Sequence, residues 1–242
     1  MGTAPTITPR AGTVGDAFRL KWEAVVLDGV GQIVILNGPP RSGKSSIAVA
    51  IQERFDGVWM NLGVDRFKQM TPERFQPGIG LRPGGERPDL EPLVVAAYRG
   101  MYDAIAAHSR LGFNVVVDAV HHDAYSVPRH ILPNCARQLQ GLPVLFVGVR
   151  CPVEVALQRR QATWGGIGYS PSVSVPDPVG LWHEAVHTPG IYDLEVDTSV
   201  LGPQECADLV ARRLRDGRPP LAFRRLARPA GTPDMLGSGT GP

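Results

Sequence analysis

The stretch that decides the fold is residues 33–46, which read IVILNGPPRSGKSS. Its first four residues, Ile33 to Leu36, are apolar and mostly β-branched, as expected of a strand buried on both faces of a parallel sheet. The pattern Gly-x-x-x-x-Gly-Lys-Ser follows over Gly38 to Ser45 and leads into residues that favour a helix. Such a loop brings backbone N–H groups and the positive end of a helix dipole together. The stretch therefore predicts a phosphate-binding loop.

Each residue type in this loop has a chemical reason. Gly38 and Gly43 allow the backbone to approach the phosphates, Lys44 supplies positive charge, and the Ser45 hydroxyl is a suitable ligand for Mg²⁺. A turn that matches by chance is the alternative, but both flanks fit the strand-loop-helix context. We predict that ATP and Mg²⁺ bind here. The residues predicted to contact the nucleotide are Gly38, Pro39, Pro40, Arg41, Ser42, Gly43, Lys44, Ser45 and Ser46.

Outward from the loop, short apolar runs alternate with segments of helical pattern. Strands are predicted at residues 33–36, 58–62, 113–117, 144–149 and 194–196. Helices are predicted at residues 44–54, 93–109, 127–139, 152–161 and 203–214. Strands separated by helices predict an α/β fold of the P-loop NTPase type, a doubly wound parallel sheet of about five strands with helices on both faces.

Two aspartates follow predicted strands. Asp65 comes directly after the second strand, where a carboxylate could accept the proton of a substrate hydroxyl or could instead cap the segment that follows. Asp118 ends the run Phe113 to Val117, a pattern typical of the acid that orients Mg²⁺, or of a simple turn residue. We predict a catalytic role for Asp65 and a metal role for Asp118 with Ser45. A metal site at His121 and His122 is less favoured, because adjacent side chains rarely converge on one ion.

A lid over the nucleotide is predicted at about residues 159–177, a stretch rich in Gly, Ser and Pro. Arg159 and Arg160 stand at its start. An arginine there could neutralise charge on the transferred phosphoryl group, or it could be a solvated cation at a helix end. We predict a catalytic role for Lys44 and for at least one of these two arginines.

The composition describes an ordinary globular protein. The 242 residues carry a formal net charge of +2, so no bulk field favours nucleic acid, and no apolar run is long enough to span a membrane. The three cysteines have no metal-ligand spacing, which favours a reducing, cytoplasmic location. The predicted organisation is an N-terminal extension at 1–30, a kinase-like domain at 31–216 and a flexible, dispensable tail at 217–242. Oligomeric state is left open.

The sequence resembles the chloramphenicol phosphotransferase family, small P-loop kinases similar in fold to shikimate and adenylate kinases. The resemblance covers about residues 32–215. The matching pieces are the phosphate loop with Asn37 before it, Gly63-Val64-Asp65, Val116-Val117-Asp118, Phe146 to Cys151 and the run from His187 through Asp197-Thr198. It implies that Asp65 is the catalytic base and that the segment Asp197-Thr198 lies beside the adenine. The chain departs from the family pattern at Ala119, in the lid and in residues 66–93.

The predicted function is ATP-dependent transfer of the γ-phosphoryl group to a hydroxyl of a small molecule, with an antibiotic as one acceptor class. Residues 66–93 and 121–125 would select the acceptor. The first alternative is an NTPase or a nucleotide-gated binding module without an acceptor. The second is a kinase of nucleic-acid ends, which would require a basic groove that the mixed charge near Asp65 does not supply.

Overall fold

The computed structural model describes residues 29–76, 83–85, 87–164 and 178–228. The predicted N-terminal extension up to residue 28, lid residues 165–177 and the tail from residue 229 lie outside this description. The strands are β1 (Ile33–Asn37), β2 (Trp59–Gly63), β3 (Asn114–Ala119), β4 (Val144–Arg150) and β5 (Leu194–Asp197). The helices are α1 (Lys44–Arg54), α2 (Val64–Gln69), α3 (Glu91–Arg110), α4 (Ile131–Gln138), α5 (Val153–Trp164), α6 (Pro178–Val186), α7 (Pro203–Arg215) and α8 (Ala222–Leu226).

The five strands form one sheet in the order β2-β3-β1-β4-β5, and every pair is parallel. The predicted doubly wound parallel sheet is therefore confirmed. The carboxyl ends of these parallel strands lie at the same edge of the sheet. Strand β1 is the central strand, so the loop that follows it begins between the ends of β3 and β4. In such sheets ligands bind outside the carboxyl ends of the strands, where the strand order reverses. Here that point is the edge after β1.

Alternate residues of β1 enter two separate cores. Ile33 and Ile35 pack with helices α3, α4 and α8 on one face, whereas Val34 and Leu36 pack with α1 and α7 on the other. All four side chains are fully buried. A continuous apolar strand sequence arises because both faces of the parallel sheet are covered by helices.

The predicted boundaries need three corrections. The helix predicted from residue 127 begins at Ile131, so Pro133 lies in the first turn, where its missing N–H costs nothing. Helices α2 and α6 were not predicted. The tail predicted to be flexible from 217 contains helix α8, and its residues Phe223 and Leu226 are buried in the core. Helix α8 is short, contains arginine and lies in a stretch rich in Pro and Gly. Its few apolar residues do not alter that overall composition, so composition alone wrongly predicted a flexible tail.

We expect Phe223→Ala to destabilise the domain. The Phe223 ring is 6% exposed and lies edge-on to Phe146 at a centroid distance of 5.0 Å. Truncation of a buried Phe costs roughly 3–5 kcal/mol of unfolding free energy. Urea unfolding checks this, with the exposed Phe75→Ala as control. A loss under about 1 kcal/mol for Phe223→Ala would mean that α8 is not part of the cooperative core.

Candidate active site

The phosphate-binding loop joins β1 to α1 at the centre of the sheet edge. A Cβ added to Gly38 would lie 2.5 Å from the backbone oxygen of Val149, so no larger residue fits there without a shift of the chain. Gly43, directly before α1, has φ +88°, which favours glycine. The close approach of Val149 at Gly38 and the positive φ at Gly43 explain why the pattern has glycine at both positions.

Lys44 is buried within this loop. Its Nζ donates to the backbone oxygen of Pro39 at 2.8 Å and lies 3.5 Å from Oδ1 of Asp118. Burial lowers the pKa of Lys44, while the nearby carboxylates of Asp118 and Asp65 act in the opposite direction. The buried cation is therefore disfavoured by its surroundings, and an anionic ligand in the loop would relieve that cost.

Ser45 and Asp118 meet beside Lys44. The Ser45 hydroxyl donates to Oδ2 of Asp118 at 2.5 Å, which joins the first turn of α1 to the end of β3. Hydroxyl and carboxylate oxygens are the ligands that Mg²⁺ prefers, so this pair fits the ion that accompanies ATP. Among the described residues, no group of three or more His, Cys, Asp or Glu side chains could hold a metal ion.

Asp65 lies next to Asp118 along the sheet edge. Gly63, the last residue of β2, pairs in register with Asp118, and Asp65 follows two residues later in the first turn of α2. Asp65 is an exposed residue of this turn. The residue in the helix-capping position is Gly63, and Asp65 is inside the helix. The alternative that Asp65 is an N-cap is therefore wrong.

Arg159 lies on α5 and is held against the phosphate loop. Its guanidinium donates to Oγ1 of Thr198 at 3.0 Å, to the backbone oxygen of Thr198 at 2.6 Å and to the backbone oxygen of Arg41 at 3.4 Å. Residues 159–164 continue helix α5, so the predicted lid cannot start at Arg159. Arg160 is the next residue of that helix and is half-buried.

Thr198 joins Arg159 to the phosphate loop. Its hydroxyl donates to the backbone oxygen of Ser42 at 2.8 Å, and its backbone N–H donates to the backbone oxygen of Arg150 at 3.0 Å. Thr198 is buried and fixes one side of the phosphate loop. Asp197, predicted to contact the nucleotide, accepts from the hydroxyl of Ser199 at 2.7 Å and from its N–H at 2.8 Å, and these bonds lower its pKa. The position of Thr198 directly after β5 is the sequence signal that places it at the ligand-binding edge of the sheet.

Asn37, directly before the loop, joins three further segments. Its Nδ2 donates to the backbone oxygen of Val186 and to the hydroxyl of Tyr192, each at 3.0 Å. Its Oδ1 accepts from the backbone N–H of His121 at 2.8 Å. Burial lowers the pKa of His121 to about 3, so the ring is neutral at physiological pH. Sequence spacing gave no signal for this junction because its partners lie 84 to 155 residues away.

The loop after β3 forms the opposite wall of the cleft. The ring of His122 stacks on Tyr125 at a centroid distance of 4.4 Å and lies edge-on to Trp182 of α6 at 5.0 Å. The buried carboxylate of Glu91 fixes this loop through Ser126 N–H at 2.7 Å and Arg129 at 2.7 Å. Burial alone would raise the pKa of Glu91, but these partners outweigh it and leave the pKa below its ordinary value.

An apolar pocket lies between α2 and α3, on the helix that carries Asp65. Its volume is about 410 Å³ when the open solvent at its mouth is included. Phe67 and Tyr98 line it, whereas Trp182 does not. The Tyr98 hydroxyl donates to the backbone of Val120 at 2.7 Å. The lining residues are Val64, Phe67, Lys68, Thr71, Leu93, Val94, Ala97, Tyr98 and Met101.

Taken together, the loop, the Ser45–Asp118 pair and the parallel sheet define a P-loop kinase-type nucleotide site. The family described as chloramphenicol phosphotransferase-like protein matches residues 31–215, and the chain belongs to this family. The resemblance drawn from the sequence motifs is therefore confirmed.

Individual relatives agree with this assignment. A *Mycobacterium tuberculosis* protein named "Putative O-phosphotransferase Rv2636" is 27% identical over 232 residues, which cover 88% of this chain and 96% of the relative. The fold is similar to that of shikimate kinase from *Acinetobacter baumannii*, with a TM-score of 0.51, 14% identity and coverage of 78% of this chain and 95% of that one. A sugar kinase from *Janibacter* sp. gives a TM-score of 0.52 with 16% identity and coverage of 82% and 99%. In the described residues, no helix is long and apolar enough to cross a membrane.

Proposed function

We propose that this protein transfers the γ-phosphoryl group of ATP to a hydroxyl group of a small molecule. The observation that carries the proposal is the position of Asp65. Asp65 is exposed and lies two residues after Gly63, the residue of β2 that pairs in register with Asp118. Its carboxylate acts electrostatically on Lys44. A nucleotide hydrolase needs the loop and Asp118, whereas a carboxylate on the open side of the cleft suits the activation of an acceptor hydroxyl.

The chemistry assigns a task to each group. Asp65 accepts the proton of the acceptor hydroxyl as its oxygen attacks the γ-phosphorus. The bond from that phosphorus to the β,γ-bridging oxygen breaks, and ADP leaves with the electron pair. Lys44 and the loop N–H groups hold the β- and γ-phosphates, and Arg159 with Thr198 keeps the loop in place. Arg160, on the same helix, is a second cation for the phosphates.

Magnesium would be held by Ser45 and Asp118. When bound, the ion supplies charge neutralisation and orients the phosphate oxygens. The short contact between these two side chains supports this assignment because it brings two oxygen ligands to one point beside Lys44.

The acceptor class follows from the walls of the cleft. The pocket on the Asp65 helix is apolar, and the Tyr98 and Glu91 polar groups are hydrogen-bonded internally. An alcohol with an apolar body suits these walls better than a sugar, because a sugar would leave its hydroxyls unpaired. Chloramphenicol is one such alcohol, and modification of an antibiotic is the biological role that this acceptor would imply.

The test is a panel of acceptors with Mg²⁺ and ATP. The acceptors are chloramphenicol, shikimate, glucose and a short oligonucleotide with a free 5′ hydroxyl, and the product is detected by mass spectrometry. A phosphorylated alcohol supports the proposal. Hydrolysis of ATP that no acceptor accelerates favours the alternative of an NTPase or nucleotide-gated module. A phosphorylated oligonucleotide with steep salt dependence would favour the nucleic-acid kinase.

A further inference from the structure

A fully buried carboxylate lies outside the groups that the proposed chemistry uses. Glu91 is the first residue of α3, and none of its side chain is exposed. Its Oε1 accepts from the backbone N–H of Ser126 at 2.7 Å, and its Oε2 accepts from the Ser126 hydroxyl at 2.6 Å. Oε2 also accepts from Nε and Nη2 of Arg129 at 3.0 and 2.7 Å. A buried carboxylate is tolerated when its oxygens are bonded in this way. Glu91 is therefore a fixed joint between α3 and a segment 35 to 38 residues later.

On one side of this joint, α3 forms a wall of the apolar pocket. Leu93 is the first of the lining residues that α3 supplies, and it follows Glu91 by two positions. The helix is continuous over 20 residues, so a shift at Glu91 is carried to the whole wall. The facing wall belongs to α2, the helix that carries Asp65. The lining residues supplied by α3 are Leu93, Val94, Ala97, Tyr98 and Met101.

On its other side, the joint holds the segment 120–130, which we call the β3 loop. This loop contains neither helix nor strand, so its position depends on isolated hydrogen bonds. At its start, the backbone oxygen of Val120 accepts from the hydroxyl of Tyr98, a pocket residue, at 2.7 Å. In its middle, the backbone oxygen of Ala124 accepts from the N–H of Gly84 at 2.9 Å. The β3 loop thus contacts both the pocket and the chain segment that precedes α3.

We propose that Glu91 is a positioning residue for the acceptor, because its carboxylate locks the β3 loop onto the helix that lines the pocket. The inference rests on the proposed function. With this lock closed, the pocket wall and the aromatic wall of His122 and Tyr125 have a fixed separation before the acceptor binds. With the lock open, the acceptor must order the loop as it binds, and its affinity falls. The bonds of Glu91 go to Ser126 and Arg129 and not to the phosphate loop, so nucleotide affinity should not depend on them.

The test opens the lock from each side in the full chain. Glu91→Gln keeps the shape but places an amide N–H group where a carboxylate oxygen accepted, and Arg129→Gln removes the cation from a side chain that is 27% exposed. We expect both to raise the KM for the acceptor about 10-fold, to change kcat by less than about 2-fold and to leave the affinity for Mg²⁺–ADP unchanged. Arg129→Lys keeps the charge and should recover part of the loss. Glu53→Gln, at an exposed position on α1, is the matched control and should equal the wild type.

Two kinds of measurement are needed. Rates are measured with ATP and, in turn, chloramphenicol, shikimate and glucose, and ADP affinity is measured by calorimetry. Hydrogen exchange followed by mass spectrometry adds a readout that needs no acceptor. We expect Glu91→Gln to speed exchange in residues 121–130, which include the Ser126 N–H, and to leave α1 as protected as in the wild type. A general loss of stability would speed exchange in both segments, so this pattern separates a local lock from a merely structural role.

The outcomes separate this inference from the proposed function. A wild type that phosphorylates none of the three alcohols overturns the proposed function and this role with it. A wild type that reacts, with an unchanged acceptor KM in Glu91→Gln and Arg129→Gln, overturns the role of Glu91 alone. A loss confined to kcat, or faster exchange throughout the protein, also overturns that role. If Glu91→Gln does not fold, Arg129→Gln and Arg129→Lys make the same comparison from the loop side of the lock.

Discussion

Replacing Asp65 with asparagine is expected to lower the rate of phosphoryl transfer by roughly 100- to 10,000-fold, while the affinity for ATP stays near the wild-type value. Asparagine has the same shape but cannot accept the proton of an acceptor hydroxyl. Asp65 is exposed on the open side of the cleft, so the substitution leaves no buried group without a partner. The measurement is the single-turnover rate with the acceptor that the panel identifies, alongside calorimetric binding of the nucleotide.

A matched control lies at the other end of the same strand. Asp56 is exposed before β2, so Asp56→Asn makes the identical chemical change away from the cleft. It should behave as the wild type. If Asp65→Asn transfers phosphate as fast as this control, Asp65 is not the base. If both variants hydrolyse ATP at the wild-type rate and no acceptor reacts, the NTPase alternative is the better account.

The sheet was predictable because its signal is local. Five apolar runs, each followed by polar or turn residues, mark the strands, and all five occur in the structure within one or two residues of their predicted positions. Helices α2, α6 and α8 were not predicted because each is short. The stability of α8 comes from burial against distant segments, as the contact of Phe223 with Phe146 illustrates.

The candidate site likewise combines residues that local sequence signals predict with residues that only the fold identifies. The loop residues and the acids at strand ends follow from motif and from the geometry of parallel sheets, and the structure brings Lys44, Ser45, Asp118 and Asp65 to one edge. Asn37 was not predicted as a site residue, and Thr198 was expected only as part of the segment beside the adenine. Their hydrogen bonds join segments far apart in sequence, and only the fold reveals such partners.

The predicted task of Arg159 shows a further limit of sequence reasoning. Its place at the end of a predicted helix favoured a lid cation, but its bonds to Thr198 and to the loop backbone hold it against the phosphate loop. The residue type and position were informative, whereas the direction of the side chain depends on partners 39 to 118 residues away. Charge alone could not distinguish the two tasks.

Replacing Lys44 with methionine is expected to lower phosphoryl transfer about 1,000-fold and to weaken ATP binding, because the cation that faces the β- and γ-phosphates is lost. The stability of the nucleotide-free protein should change little, because two contributions oppose each other. Burial holds the pKa of Lys44 below its ordinary value of 10.5, so the charged side chain carries a desolvation cost that methionine does not. Methionine, in turn, leaves the carboxylate of Asp118 without its cation, which is destabilising.

The measurements are the transfer rate, the affinity for Mg²⁺–ATP and the midpoint of thermal unfolding with and without nucleotide. Wild type should gain stability from ATP, whereas Lys44→Met should start near the wild-type stability and gain little. Arg54→Met, which removes an exposed cation from the same helix, should keep the wild-type response. If Lys44→Met instead unfolds the nucleotide-free protein, the lysine serves mainly to neutralise Asp118, and the loop is a structural element before it is a phosphate site. If it binds ATP and transfers phosphate like the control, the buried charge is not aimed at the phosphates, and the phosphate-loop assignment fails at its central residue.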